Sequence, residues 1–173
     1  MATKQRTRNP RVTHVSVIAV DIEESTEFYE NLLGFEMIET PDLVDQPDYE
    51  STETTPFQML RAGDLLLHLW YDPERDPEAT RLAHFGVHVD DFEEVYREAE
   101  ERGVFAGLGV DSAPPRVFNL NGNAQMYLRD PTGNLVEVDY PDIEELDTSM
   151  FAEIADRGSG YGDAIGVYAP GAE

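Results

Sequence analysis

The chain has no cysteine. Disulfides, thiolate metal ligands and cysteine nucleophiles are therefore excluded, and any bound metal must be held by His, Asp or Glu. Positive charge is scarce. Lys and Arg number 12 against 36 Asp and Glu, for a formal net charge of −24. Lys4 is the single lysine, and every other basic residue is an arginine. Such a surface repels nucleic acid, so no nucleic-acid partner is expected. An acidic, lysine-poor coat stays hydrated in concentrated salt, which points to a halophilic host, with an ordinary acidic protein as the alternative. It also makes most acidic clusters a solvated surface and not ligands. No apolar run approaches the length of a membrane span, so no membrane partner is expected. The basic N-terminus, MATKQRTRNPR, has no apolar stretch behind its charges. It does not read as a secretory signal, and a cytoplasmic location is the expectation.

What is present is a period. Residues 1–10 read as a flexible basic arm. VTHVSVIAV, over 12–20, is β-branched and strand-like. Asp21 and Glu24 form a capping box, and Phe28, Tyr29, Leu32 and Leu33 fall at helical spacing before Gly34. A second strand is expected over 35–39, a turn-rich loop over 41–55, and a hairpin of 57–61 and 65–71 around Ala62-Gly63-Asp64. After Asp72-Pro73-Glu74-Arg75-Asp76-Pro77, the best linker, the order begins again. A strand is expected over 84–89, then a helix capped by Asp91 and Glu94 and ending at Gly103. Strands follow near 104–106, 116–120, 124–129 and 135–140, with a turn at Pro131-Thr132-Gly133-Asn134. One short helix near 143–154 and a tail complete the chain. The chain thus divides into the arm 1–10, a first βαβββ module 11–72, a linker 73–81, a second βαβββ module 82–141 and an acidic extension 142–173. The fold class is α+β.

The repeat extends to individual side chains. His14 precedes Asp21 by seven residues and His84 precedes Asp91 by seven. His68 follows His14 by 54 residues and Glu137 follows His84 by 53. Four candidate ligands therefore occupy two equivalent pairs of positions, and two such modules facing each other would bring all four to one place. Two imidazoles and a carboxylate with open positions suit Fe(II) and similar divalent ions. Glu137 stands in the apolar strand LVEVDY, where a buried carboxylate needs a partner such as a cation. His14, His84 and Glu137 are the expected metal ligands. Taken singly, each could be an ordinary strand residue. His68 reads either as a fourth ligand or as an acid–base group, with a packed histidine as the plainer alternative. His88 shares strand parity with His84, and a structural role is expected for it. Tyr127 would reach a substrate oxygen if its strand neighbours that of Glu137, and core packing is the alternative. Trp70, Phe57, Met59 and Phe118 are candidates for an apolar pocket or for plain core.

The segments HVSVIAVDIEESTEFYENLLGFE, HFGVHVDDFEEVYREAEERG and MYLRDPTGNLVEVDYP resemble the vicinal oxygen chelate superfamily. That group includes glyoxalase I, extradiol ring-cleaving dioxygenases, and fosfomycin and bleomycin resistance proteins. The resemblance covers about residues 12–141. It implies paired βαβββ modules forming a cupped mixed sheet around a metal site, with the metal on His14, His84 and Glu137. The stretch from Met126 to Glu137 is similar to the end of the extradiol dioxygenase signature, which gives Tyr127 a substrate contact and His68 the acid–base position. The histidine which that signature places seven to nine residues before the tyrosine is replaced here by Phe118-Asn119-Leu120. The resemblance implies an extradiol dioxygenase-like enzyme acting on a small substrate with vicinal oxygens. Fe(II) is the favoured ion, with Mn, Ni or Zn as alternatives. A glyoxalase I-like isomerase or lyase is the second reading, with His68 completing four ligands. A non-catalytic binding protein of the bleomycin resistance kind is the third. Exposed sheet edges make a homodimer the expected assembly.

Overall fold

A computed structural model describes residues 12–39, 57–75, 83–106 and 116–156. The arm 1–10, the loop 41–55 and the tail after 156 lie outside the described residues, as does most of the linker.

Strand β1 is His14–Ala19, and it leads into helix α1, Ile22–Glu27. The Asp21 side chain accepts from the Glu24 amide at 3.0 Å, as the capping pattern requires. The helix then widens into a π-turn over Phe28–Leu32. This places Phe28, Tyr29 and Leu32 in the core. Strands β2 (Glu36–Ile38), β3 (Phe57–Ala62) and β4 (Leu65–Tyr71) complete the first module. Its sheet runs β1-β4-β3-β2, with β1 parallel to β4 and the other pairs antiparallel.

The second module repeats that topology. Strand β5 (His84–His88) is followed by helix α2 (Phe92–Arg102) and strands β6 (Val117–Leu120), β7 (Asn123–Arg129) and β8 (Leu135–Tyr140). Helix α2 buries Phe92, Val95, Tyr96 and Ala99 and ends at Gly103. Gly103 adopts φ +67, a left-handed conformation that glycine takes without a Cβ clash. The sheet runs β5-β8-β7-β6-β9.

Two expectations need correction. The segment 104–106 forms a single bridge, Phe105 to Leu128, and not a strand. The Arg129 amide donates to the Val104 carbonyl at 2.8 Å and the Ala106 amide to the Tyr127 carbonyl at 2.7 Å, so the segment does run beside β7, but the pairing stops at this one bridge among the described residues. The helix expected over 143–154 is replaced by two 3-10 turns, Ile143–Glu145 and Thr148–Met150, and a ninth strand, β9, Ile154–Asp156. Asp142 and Asp147 each accept a hydrogen bond from the amide two residues on, which breaks the segment into separate turns. Strand β9 adds to β6 in parallel.

Side chains of alternating parity separate two faces of each sheet. Leu67 and Leu69 of β4, and Val136 and Val138 of β8, point to the helices. They join one apolar cluster that spans both modules. Replacing one of these leucines with alanine typically costs about 2–5 kcal/mol. The opposite faces carry the candidate site residues.

The two modules are joined by a polar latch built from the turn after β7. Tyr29 donates to Asp130 at 2.9 Å, the Val20 amide to Thr132 Oγ1 at 3.0 Å, and Asn134 Nδ2 to the Ile18 carbonyl at 2.8 Å. Asp130 also accepts from the Thr132 and Asn134 amides. The Asp-Pro-Thr-Gly-Asn segment therefore clamps the first module to the second.

Candidate metal centre

The register of the strands makes the repeat exact at the site. In the first module Ser16 lies opposite His68, so His14 is two residues from the register partner of His68. In the second, Gly86 lies opposite Glu137, and His84 is again two residues away. Each pair is therefore a diagonal neighbour on one sheet face. The rings of His14 and His68 stack with centroids 4.8 Å apart. His84 Nε2 lies 3.0 Å from Glu137 Oε2.

The two pairs differ in their surroundings. Thr13 Oγ1 lies 3.1 Å from His14 Nδ1, which leaves Nε2 of that ring for other use. His68 Nε2 is a buried atom with no hydrogen-bond partner among the described residues. Burial lowers the His68 pKa, and the adjacent His14 lowers it further, so the neutral imidazole is favoured. Glu137 is 4 % exposed. A buried carboxylate beside an imidazole, and a buried ring nitrogen lacking a partner, are donors suited to a divalent cation.

Among the described residues, no three His, Cys, Asp or Glu of one chain converge as a metal-binding group. The single chain thus brings His14 to His68 and His84 to Glu137, and keeps the two pairs apart. A cleft of about 300 Å³ lies between edge strands β1 and β5 and reaches His84.

Tyr127 sits directly opposite Glu137 on β7, and its ring meets His84 edge-on at 5.7 Å. Strand β7 thus neighbours the strand of Glu137. It also packs against Phe118 at 5.9 Å, within a small apolar cluster with Ala106 and Leu135. Phe57 and Trp70 stack at 4.7 Å in the first module, and Met59 lies opposite His68. The four apolar candidates therefore divide between the sheets, with Phe118 on the second. His88 is exposed.

Two polar residues beside Glu137 escaped the sequence reading. Gln125 Nε2 donates to Glu137 Oε1 at 2.8 Å and to Asp139 Oδ1 at 3.0 Å. Burial, and then the Glu137 charge, push the Asp139 carboxyl up to about 7. The available signal was parity, because Gln125 is two residues from Tyr127 and Asp139 is two from Glu137.

Residues 11–138 match the family model described as the Glyoxalase/Bleomycin resistance protein/Dioxygenase superfamily. The Bacillus subtilis protein YwkD is 26% identical over 125 residues, covering 69% of this chain and 88% of that protein. Among solved structures, the fosfomycin resistance protein FosX from Listeria monocytogenes superposes with a TM-score of 0.56 at 18% identity, covering 80% of this chain and 97% of that one. A glyoxalase/dioxygenase from Nostoc punctiforme gives 0.55 at 19% identity, covering 79% and 97%. Among the described residues, no helix is long and apolar enough to cross a membrane.

Proposed function

Because the chain belongs to the glyoxalase, bleomycin resistance protein and dioxygenase superfamily, we propose that it is a mononuclear metal-dependent enzyme acting on a small substrate with two vicinal oxygens. The observation that carries this reading is the pair of equivalent half-sites, His14 with His68 and His84 with Glu137. His14, His84 and Glu137 would hold the ion, with His68 beside them. A homodimer that sets the first half-site of one copy against the second half-site of its partner would complete the set. The bound ion would supply Lewis-acid polarisation of the chelated oxygens.

The residues favour proton transfer over ring cleavage. Phe118 packs on Tyr127, so an apolar ring stands in the segment where the dioxygenase signature has its histidine. His68 Nε2 is buried and has no hydrogen-bond partner among the described residues. In this reading that nitrogen accepts the proton from the carbon next to the substrate carbonyl, and the electron pair delocalises onto the carbonyl oxygen. Return of the proton to the former carbonyl carbon, as the hydroxyl proton on the first carbon passes to the oxyanion, completes an isomerase-type step. The Tyr127 hydroxyl orients the substrate. The dioxygenase reading keeps one supporting observation, the contact of Tyr127 with His84 beside Glu137.

Metal analysis followed by solvent deuterium incorporation into 2-hydroxy and 2-oxo carbonyl compounds tests the proposal. Near-stoichiometric metal with exchange lost in His68→Gln is the expected result. Metal-dependent oxygen uptake with catechols, without exchange, would restore ring cleavage. No metal after reconstitution would remove the enzyme reading altogether.

A further inference from the structure

The two modules superimpose in topology and in the register of their ligand pairs, yet they diverge one step further along the strands. In the first module the positions beyond the ligand pair are Phe57 and Trp70, opposite one another and stacked. In the second module the equivalent positions are Gln125 and Asp139, also opposite one another. The fold thus accepts an apolar pair at this place. The polar pair of the second module has another reason.

Gln125 is 2 % exposed and Asp139 is 2 % exposed. The amide nitrogen carries two protons, and each points to a different carboxylate, Glu137 Oε1 and Asp139 Oδ1. The remaining Glu137 oxygen, Oε2, is the one beside His84 Nε2. Gly86 leaves the space this cluster needs. A Cβ there would lie 3.3 Å from Asp139 Oδ2 and 4.0 Å from Glu137 Cβ.

We infer that Gln125 is a positioning residue for the metal centre: its amide engages Glu137 Oε1, directs Oε2 toward the ion beside His84, and holds Asp139 out of the coordination sphere. The inference rests on the metal-dependent reading above. Gln125 itself touches neither ion nor substrate. Losing a partner of this kind typically weakens metal affinity by about 10- to 100-fold.

The test is a Co(II) titration of the apo full chain, following both Kd and the visible ligand-field bands. Gln125→Met keeps the length of the side chain and removes the donor. It is expected to raise the Co(II) Kd by about 10- to 100-fold and to shift the bands at saturating cobalt, because the freed carboxylate can turn. Asp139→Asn leaves the Gln125–Glu137 bond in place and is expected to keep the wild-type bands. If Gln125→Met does not fold, Gln125→Asn, whose amide falls one methylene short, carries the same expectation. Unchanged bands in the Gln125 variant overturn the inference, whether or not the affinity falls, since a purely structural role would leave the ligand field intact. Failure of the wild-type protein to bind Co(II) would instead remove the metal reading on which the inference stands.

Discussion

The hydroxyl of Tyr29, from the first module, donates to the buried carboxylate of Asp130, in the second, at 2.9 Å. Together with Thr132 and Asn134 this bond fixes how the two sheets sit in one chain.

Tyr29→Phe is expected to cost about 1–2 kcal/mol, measured by urea unfolding at neutral pH. Its effect on pH dependence is more specific. Burial, and then the Asp130 charge, raise the Tyr29 pKa well above 10.0. Above the unfolded value the unfolded chain loses this proton while the folded chain keeps it. Stability therefore falls as pH rises beyond about 10. Tyr29→Phe should flatten that alkaline limb.

Asp139 makes an opposite use of the acid range. Its folded value of about 7 lies above the ordinary carboxyl value of 3.8. The groups around it are Glu137 and Gln125, with His88 opposite in register on β5. The folded apo protein holds the proton that the unfolded chain releases near pH 4. Stability contributed by the protonated form is full below that value and is lost as pH rises toward 7. Asp139→Asn should reduce this decline in thermal unfolding of the apo protein between pH 4 and 7.

Tyr127→Phe separates orientation from ion binding. The hydroxyl is lost and the ring that packs on His84 and Phe118 is kept. Metal content should stay at the wild-type level, and deuterium exchange should fall by about 10-fold or more. A variant with full exchange would reduce Tyr127 to a packing role.

Much of this arrangement was legible in the sequence for physical reasons that act locally. Phe92, Val95, Tyr96 and Ala99 follow one helical face, and Asp91 and Gly103 mark its ends. The seven-residue offsets from His14 to Asp21 and from His84 to Asp91 reflect one strand-to-helix unit used twice. The rest depends on distant contacts. Strand β9 is three residues long and exists through pairing with β6, so no local period announces it. Nor does local pattern foretell the π-turn at Phe28–Leu32. The equivalence of the two candidate pairs could be read from spacing, but that no three of these side chains converge among the described residues could not, since it depends on how the two sheets pack. Gln125 gives no sign of its importance until its two carboxylate partners are seen together.

Subunit complementation tests the proposed assembly, in which the half-sites of two copies complete one metal centre. His14→Ala damages the first half-site and Glu137→Ala the second. Each variant alone should bind little metal. After mixing, unfolding and refolding, a heterodimer would contain one centre with both halves intact, so metal should return to about half of the wild-type amount in the mixed dimer. A mixture that stays metal-free beside a metal-replete wild type would contradict the account, because a centre built within one chain cannot be repaired by a partner.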